Sequence, residues 1–119
     1  MTRELAFPKT RRLRSAAEFQ RVRREGETIH GELLSLGVLR GEGDTAMRAG
    51  FITPRTLGRA VARNRLRRRL REIVRRHQSE IRSNVWLVTI ARRRSVGASY
   101  RALEHEWLRL AKRTSILAP

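Results

Sequence analysis

The stretch RAVARNRLRRRLREIVRRH, residues 59–77, must fold as a helix with two unlike faces. At about 100° per residue, Ala62, Leu66, Leu70, Ile73, Val74, His77 and Ile81 fall on one side. That stripe needs an apolar surface to cover, which commits the chain to a layered fold rather than a free helix. Asn64, Arg67, Arg68, Arg71 and Arg75 fall on the opposite side, with Arg65, Arg69, Arg76 and Glu72 along one edge. Arg63 lies nearer the apolar side, where its long stem can snorkel outward. The helix is expected over about 57–79.

A ridge of this kind repels itself. Like charges one turn apart destabilise a helix by about 0.2–0.5 kcal/mol per pair. A solvated structural helix interleaves glutamates, and this one has only Glu72. The whole chain has the same bias: 28 Lys+Arg against 11 Asp+Glu, a net +17. All the cations but Lys9 and Lys112 are arginine. Base composition of a genome can favour arginine over lysine, but it does not set the net charge. Such a field draws polyanions, and arginine forks onto phosphate and stacks on bases. Asn64 stands out as a neutral amide in the ridge. It can donate and accept together, which suits a base edge, a 2′-hydroxyl or a metal-bound water. The plainer alternative is a chance polar residue near the helix start.

Around this helix the chain alternates. Ser15 caps a helix over about 16–25, with Glu18 at the capping-box position and Gly26 as its stop. Ala16, Phe19, Val22 and Arg23 share a face of it. Residues 32–40 and 46–53 read as two strands joined through the turn GEGD as a hairpin, and Pro54 ends the second. A weaker strand signal lies near 28–30. NVWLVTIA, residues 84–91, carries apolar side chains on both faces and reads as a central, covered strand. Residues 98–113 form a last helix, with Tyr100, Leu103, Trp107 and Leu110 at spacings of three and four. Residues 1–14 read as a loosely ordered basic arm and 114–119 as a tail. The order α-β-β-(β)-α-β-α describes one α+β domain over 1–119, a small mixed sheet of three to four strands packed with three helices.

Several chemistries are excluded. No apolar run approaches the roughly 20 residues of a membrane span. The start lacks the apolar core of a signal peptide, so a cytoplasmic location is expected. Without cysteine there are no disulfides and no thiolate metal sites. Asp44 is the only aspartate, the glutamates are scattered, and His30, His77 and His105 are far apart. Two-metal hydrolysis needs clustered carboxylates, so the chain is not expected to hydrolyse nucleic acid alone. Trp86, Phe51 and Trp107 fit core positions. Phe19, set among Arg14, Arg21, Arg23 and Arg24, reads either as core or as a stacking platform for single-stranded RNA. On charge alone, a structural RNA- or DNA-packing protein, such as a ribosomal protein, fits as well as a processing factor. A membrane-surface module fits less well, because the apolar stripe is needed by the sheet.

GRAVARNRLRRRLR at 58–71 resembles the arginine–asparagine–arginine signature of the bacterial ribonuclease P protein subunit. EFQRVRREG at 18–26, RAGFITPRTLG at 48–58, WLVTIARR at 86–93 and SYRALEHEWLRLAKR at 99–113 resemble the same family's other elements in order. The resemblance implies a ribosomal protein S5 domain 2-like fold with a left-handed βαβ crossover, although such units are right-handed in about 98% of cases. It also implies a non-catalytic protein partner of a catalytic RNA that removes the 5′ leader of precursor tRNA. Mg²⁺ would be held through that RNA, with one protein per RNA. Carried over by motif, Arg59, Arg63, Asn64, Arg65, Arg67, Arg68, Arg71 and Arg75 would contact the ribonuclease P RNA. Phe19, Arg23, Arg92 and Arg93, with Arg12 and Arg14 of the arm, would line or rim the leader cleft. The chain departs from the family at Arg23 and Gly37, where aromatic residues are common, at Arg59, where a polar residue stands, and at Thr56, where a lysine is frequent.

Overall fold

The computed structural model describes residues 9–41 and 45–118. Helix α1 is Ala16–Glu25, strand β1 Glu27–His30, strand β2 Leu34–Arg40 and strand β3 Arg48–Ile52. Helix α2 is Ala60–His77, strand β4 Val85–Ala91 and helix α3 Tyr100–Arg113. The sheet order is β1-β2-β4-β3, with β4 antiparallel to β2 and parallel to β3.

The pairing corrects one expectation. Strands β2 and β3 do not form a hairpin. Strand β4 lies between them, in the central position that suits a strand whose two apolar faces are both covered, by α2 and α3 on one side and α1 on the other. The hairpin is instead β1–β2, from the weakly signalled strand, and its short connection is closed by Gly31 N donating to Leu34 O. Strand β3 is thus the far edge, joined to β4 through α2 in a βαβ unit. Residues 42–44 of the expected turn lie outside the described residues.

One sheet face carries Leu34, Leu36, Val38, Ala49 and Leu87. It is covered by Leu66, Leu70, Ile73 and Val74 of α2 and by Leu103, Trp107 and Leu110 of α3. Burying an aliphatic side chain stabilises by about 1.5–3 kcal/mol. Four such residues on α2 outweigh the repulsion within its cationic ridge, which costs about 0.2–0.5 kcal/mol per pair. The stripe departs from its expected extent at Ala62, which is exposed in the first turn of α2. His77 marks the other end. It stacks on Trp107 with ring centroids 6.0 Å apart, and its ring nitrogens lie 2.8 Å from Glu80 and Glu104 carboxylate oxygens. Buried Glu106 of α3 ties this layer to the β1–β2 connection by accepting Leu33 N at 2.6 Å and Leu34 N at 3.1 Å.

The other face is crossed by α1. Its capping box forms as expected: Ser15 Oγ accepts Glu18 N, and Glu18 Oε1 accepts Ser15 N. Cross-strand register gives three rows of residues beneath the helix. The middle row is Thr28, Gly37, Val88 and Gly50. Its two glycines make a trough. Val22 Cγ1 would lie 3.5 Å from a Cβ on Gly37, and the Phe19 ring edge 2.4 Å from one on Gly50. The helix ends where Gly26 passes the β2 backbone, since a Cβ there would sit 2.1 Å from Val38 O.

Neither terminal segment is loose where it is described. Lys9–Arg11 form a short 3₁₀ turn, Arg12 bridges Ala49 on the outer edge of β3, and Leu13 N donates to Ala49 O at 2.9 Å. The cause is Leu13, an apolar residue in a basic run, which buries against Val22 and Val88. Likewise Ile116 is fully buried and Leu117 bridges Ile81, so the expected tail is packed through 114–117. Residues 1–8 of the expected arm lie outside the described residues.

Candidate nucleic-acid interface

The N-terminus of α2 is unusual for a buried-face helix. It follows Gly58, whose φ of 134° suits only glycine, and Arg59 caps it with no side-chain hydrogen bond. The first turn holds no acidic residue. The free N–H groups and the positive end of the helix dipole therefore sit beside Arg59 and Arg63, where an anion is the missing complement. Arg63 is half-buried, with Nε donating to Gly58 O at 3.1 Å.

The ridge splits into two sides. Asn64 and Arg68 are exposed on its crest. Asn64 Oδ1 accepts Arg67 Nη1 at 3.2 Å, so the amide has its donor side left for a partner. Arg67 is half-buried, and Nη2 donates to the buried Thr53 hydroxyl at 2.5 Å. Arg71 lies beside Arg67 and Arg12, and burial, then those two cations, lower its pKa from the usual arginine value. Its Nε is buried without an acceptor among the described residues. Arg75 turns back onto Glu72, which makes it the ridge member most engaged within its own helix. On the other side, Arg65 and Arg69 line a hollow with Leu66, Ser95, Val96 and Gly97, and Arg69 Nη1 donates to Ala98 O at 3.4 Å.

The structure brings Arg12, Phe19, Arg67 and Arg71 around one cavity of about 110 Å³, floored by Gly50, Phe51 and Leu13. The ridge of α2 and the groove beside α1 are thus continuous around the β3 edge. From there the groove follows the sheet row His30, Ser35, Ile90 and Ile52 along the Phe19 side of α1. Arg23 is exposed on the same side of the helix. Phe19 is half-buried: its ring edge packs over Gly50, and it also lines the cavity. Arg92 and Arg93 are not in that cavity. They follow β4 two and three residues beyond Ile90, in a separate hollow with Gly31, Glu32 and Arg94, where Arg92 Nη1 donates to Gly31 O at 2.6 Å. Arg14 is exposed at the start of α1, its Nη2 donating to Lys9 O at 3.4 Å.

Sequence reasoning missed two supports of this site. Thr53 anchors Arg67, and Gly50 seats Phe19. A glycine inside a strand signals close approach, and Gly50 meets that description. Among the described residues, no three His, Cys, Asp or Glu side chains are grouped so as to hold a metal ion.

Residues 7–115 match the family model for ribonuclease P. The chain belongs to the ribonuclease P protein family. It is 35% identical over 109 residues to the ribonuclease P protein component of Symbiobacterium thermophilum, covering 92% of this chain and 95% of that one. It is 55% identical over 64 residues to that of Chloroflexus aggregans, covering 54% of this chain and 47% of the relative. Among solved structures, a Staphylococcus aureus RNase P protein mutant superposes with a TM-score of 0.85 at 23% identity, over 92% of each chain. The Thermotoga maritima RNase P protein, solved with 1-(4-fluorophenyl)-2-thiourea, superposes with a TM-score of 0.76 at 28% identity, over 85% of this chain and 97% of that one. As a ribonuclease P protein, the chain is a subunit of an endoribonuclease holoenzyme that acts in tRNA processing. The nucleic-acid-packing alternative is therefore not favoured. No helix among the described residues is long and apolar enough to cross a membrane.

Proposed function

We propose that the crest and N-terminus of α2 dock on the ribonuclease P RNA, while the groove on the Phe19 side of α1 holds the 5′ leader of precursor tRNA. Arg59, Arg63, Asn64, Arg65, Arg67, Arg68 and Arg71 carry the first contact, with Arg75 in a lesser part. Phe19, Arg12, Arg14, Arg23, Arg92 and Arg93 carry the second, from the two ends of the groove. One protein serves one RNA in the cytoplasm. The RNA holds the Mg²⁺ and performs the cleavage, and the protein positions both strands by neutralising phosphates.

The observation that carries this reading is the cavity shared by Arg12, Phe19, Arg67 and Arg71. Three guanidiniums gathered beside one partly open ring repel one another, and Arg71 bears the desolvation cost. A phosphate with its neighbouring base would relieve both. Crosslinking tests it. A precursor tRNA with a photoreactive leader, bound to the holoenzyme, should label residues of the Phe19 groove, chiefly 19–23 and 90–93. Labelling confined to α3 or the outer face of β1 would overturn the leader assignment.

A further inference from the structure

Helix α1 has a second side. Glu18, Arg21 and Glu25 point away from Phe19, toward the sheet row Leu39, Trp86 and Arg48. Trp86 is half-buried there rather than core, with the Arg48 guanidinium 5.3 Å and the Arg21 guanidinium 5.6 Å from its ring centroid. A cavity of about 220 Å³ opens over it, lined by Arg21, Leu39, Arg40, Thr45, Asn84 and Trp86. We propose that this groove is a second contact for single-stranded RNA, in which one base stacks on Trp86 in place of Arg21.

Three observations lead there. The two guanidiniums are held unequally. Arg48 is fixed over the Trp86 ring by Glu18 at 3.0 Å and by Arg12 O at 3.2 Å. Apart from the Trp86 ring, Arg21 is tied among the described residues to Glu25 alone, at 3.4 Å, with 56% and 48% of the two side chains exposed. Such a surface pair is weak, so Arg21 can leave the ring and a base can take its place. Next, the cations of this groove are already matched, with Glu18 on Arg48, Glu25 on Arg21 and Glu27 on Arg40. Attraction here is by stacking rather than by phosphate neutralisation, the mode that tolerates any base sequence. Finally, Asn84 is set as a polar edge. Its φ of 61° is held by Asn84 N to Thr45 O at 2.7 Å, Gly41 N to Asn84 O at 2.9 Å, and Oδ1 accepting the Thr45 N–H and hydroxyl. That leaves its amide nitrogen without a partner among the described residues, to donate to a base edge. A duplex keeps its bases stacked on each other, so the ligand is a single strand.

The inference rests on reading the chain as an RNA-binding subunit. It is tested with a short single-stranded oligoadenosine, followed by anisotropy of the labelled RNA and by intrinsic fluorescence. Only two tryptophans are present and Trp107 is 1% exposed, so quenching reports Trp86. Saturable quenching is expected. Trp86→Leu should abolish it and weaken binding about tenfold with the salt slope unchanged, and Trp86→Phe should keep most of the affinity. Flat emission at saturation, or a folded Trp86→Leu variant that binds as tightly as the parent, overturns the inference. If binding is lost in Phe19→Leu while Trp86 emission stays flat, this groove falls and the leader groove stands. No binding by the parent overturns both.

Discussion

Arg67 and Arg68 are neighbours in sequence with different tasks. Arg67 is held by Thr53 and by Asn64, so part of its charge is structural scaffolding for the shared cavity. Arg68 is exposed on the crest. Replacing Arg68 with alanine should weaken affinity for the ribonuclease P RNA and lower the slope of log affinity against log salt by about 0.7–0.9. An unchanged slope would mean that Arg68 faces solvent in the complex. Asn64→Ala should behave differently. It removes a neutral donor and frees Arg67, so affinity should fall with the slope nearly constant. A slope change equal to that of Arg68→Ala would show that Asn64 acts only through the charge of Arg67. The neutral residue in the arginine run was visible in the sequence as an oddity. That its oxygen is spent on Arg67 was not, because a three-residue spacing on a helix permits that bond without requiring it.

Elements with strong periodicity were legible and their partners were not. Helices α1, α2 and α3 fall within a few residues of their expected bounds, because apolar spacing and the Ser15 and Gly26 boundaries are local signals. Pairing of β3 depends on β4, which arrives more than thirty residues later, so adjacency in sequence suggested the wrong neighbour. Leu13 and Ile116 were lost in polar or terminal context for the same reason: burial is decided by what meets them from afar. Glu106 belongs to this class. Burial pushes its carboxyl up, but the Leu33 and Leu34 N–H groups and Arg109 outweigh that and hold it below the ordinary carboxylate value. Glu18 is lowered similarly, first by the Arg14 N–H and then by the Ser15 N–H. A depressed carboxylate contributes stability that is present above its unfolded pKa and is lost as pH falls through the folded one. Glu106→Gln should therefore cost about 1.5–3 kcal/mol at neutral pH, by loss of charge-assisted bonds. It should also flatten the fall in stability on the acid side of the ordinary carboxylate pKa. Chemical denaturation from neutral to acid pH measures both, and a variant with the parent's acid limb would contradict the role given to Glu106.

Over the whole molecule, one sheet separates two tasks. Its face toward α2 and α3 is a conventional apolar core. Its other face is only partly covered by α1, which leaves a groove along each side of that helix. The net charge of +17 surrounds both, so a polyanion is drawn to the molecule before any specific contact forms. The cationic ridge was legible because the apolar core has no use for its exposed crest, at Asn64 and Arg68. The Trp86 groove was not, because a tryptophan in an apolar strand is indistinguishable from core until the face it points to is known. The central claim is that the chain is a non-catalytic subunit whose partner RNA does the chemistry. The most direct measurement is 5′ cleavage of precursor tRNA at low Mg²⁺ by ribonuclease P RNA, by this protein, and by the two together. The account predicts cleavage only, or very largely, in the combined reaction. Cleavage by the protein alone, or no stimulation of the RNA by the protein, would contradict it.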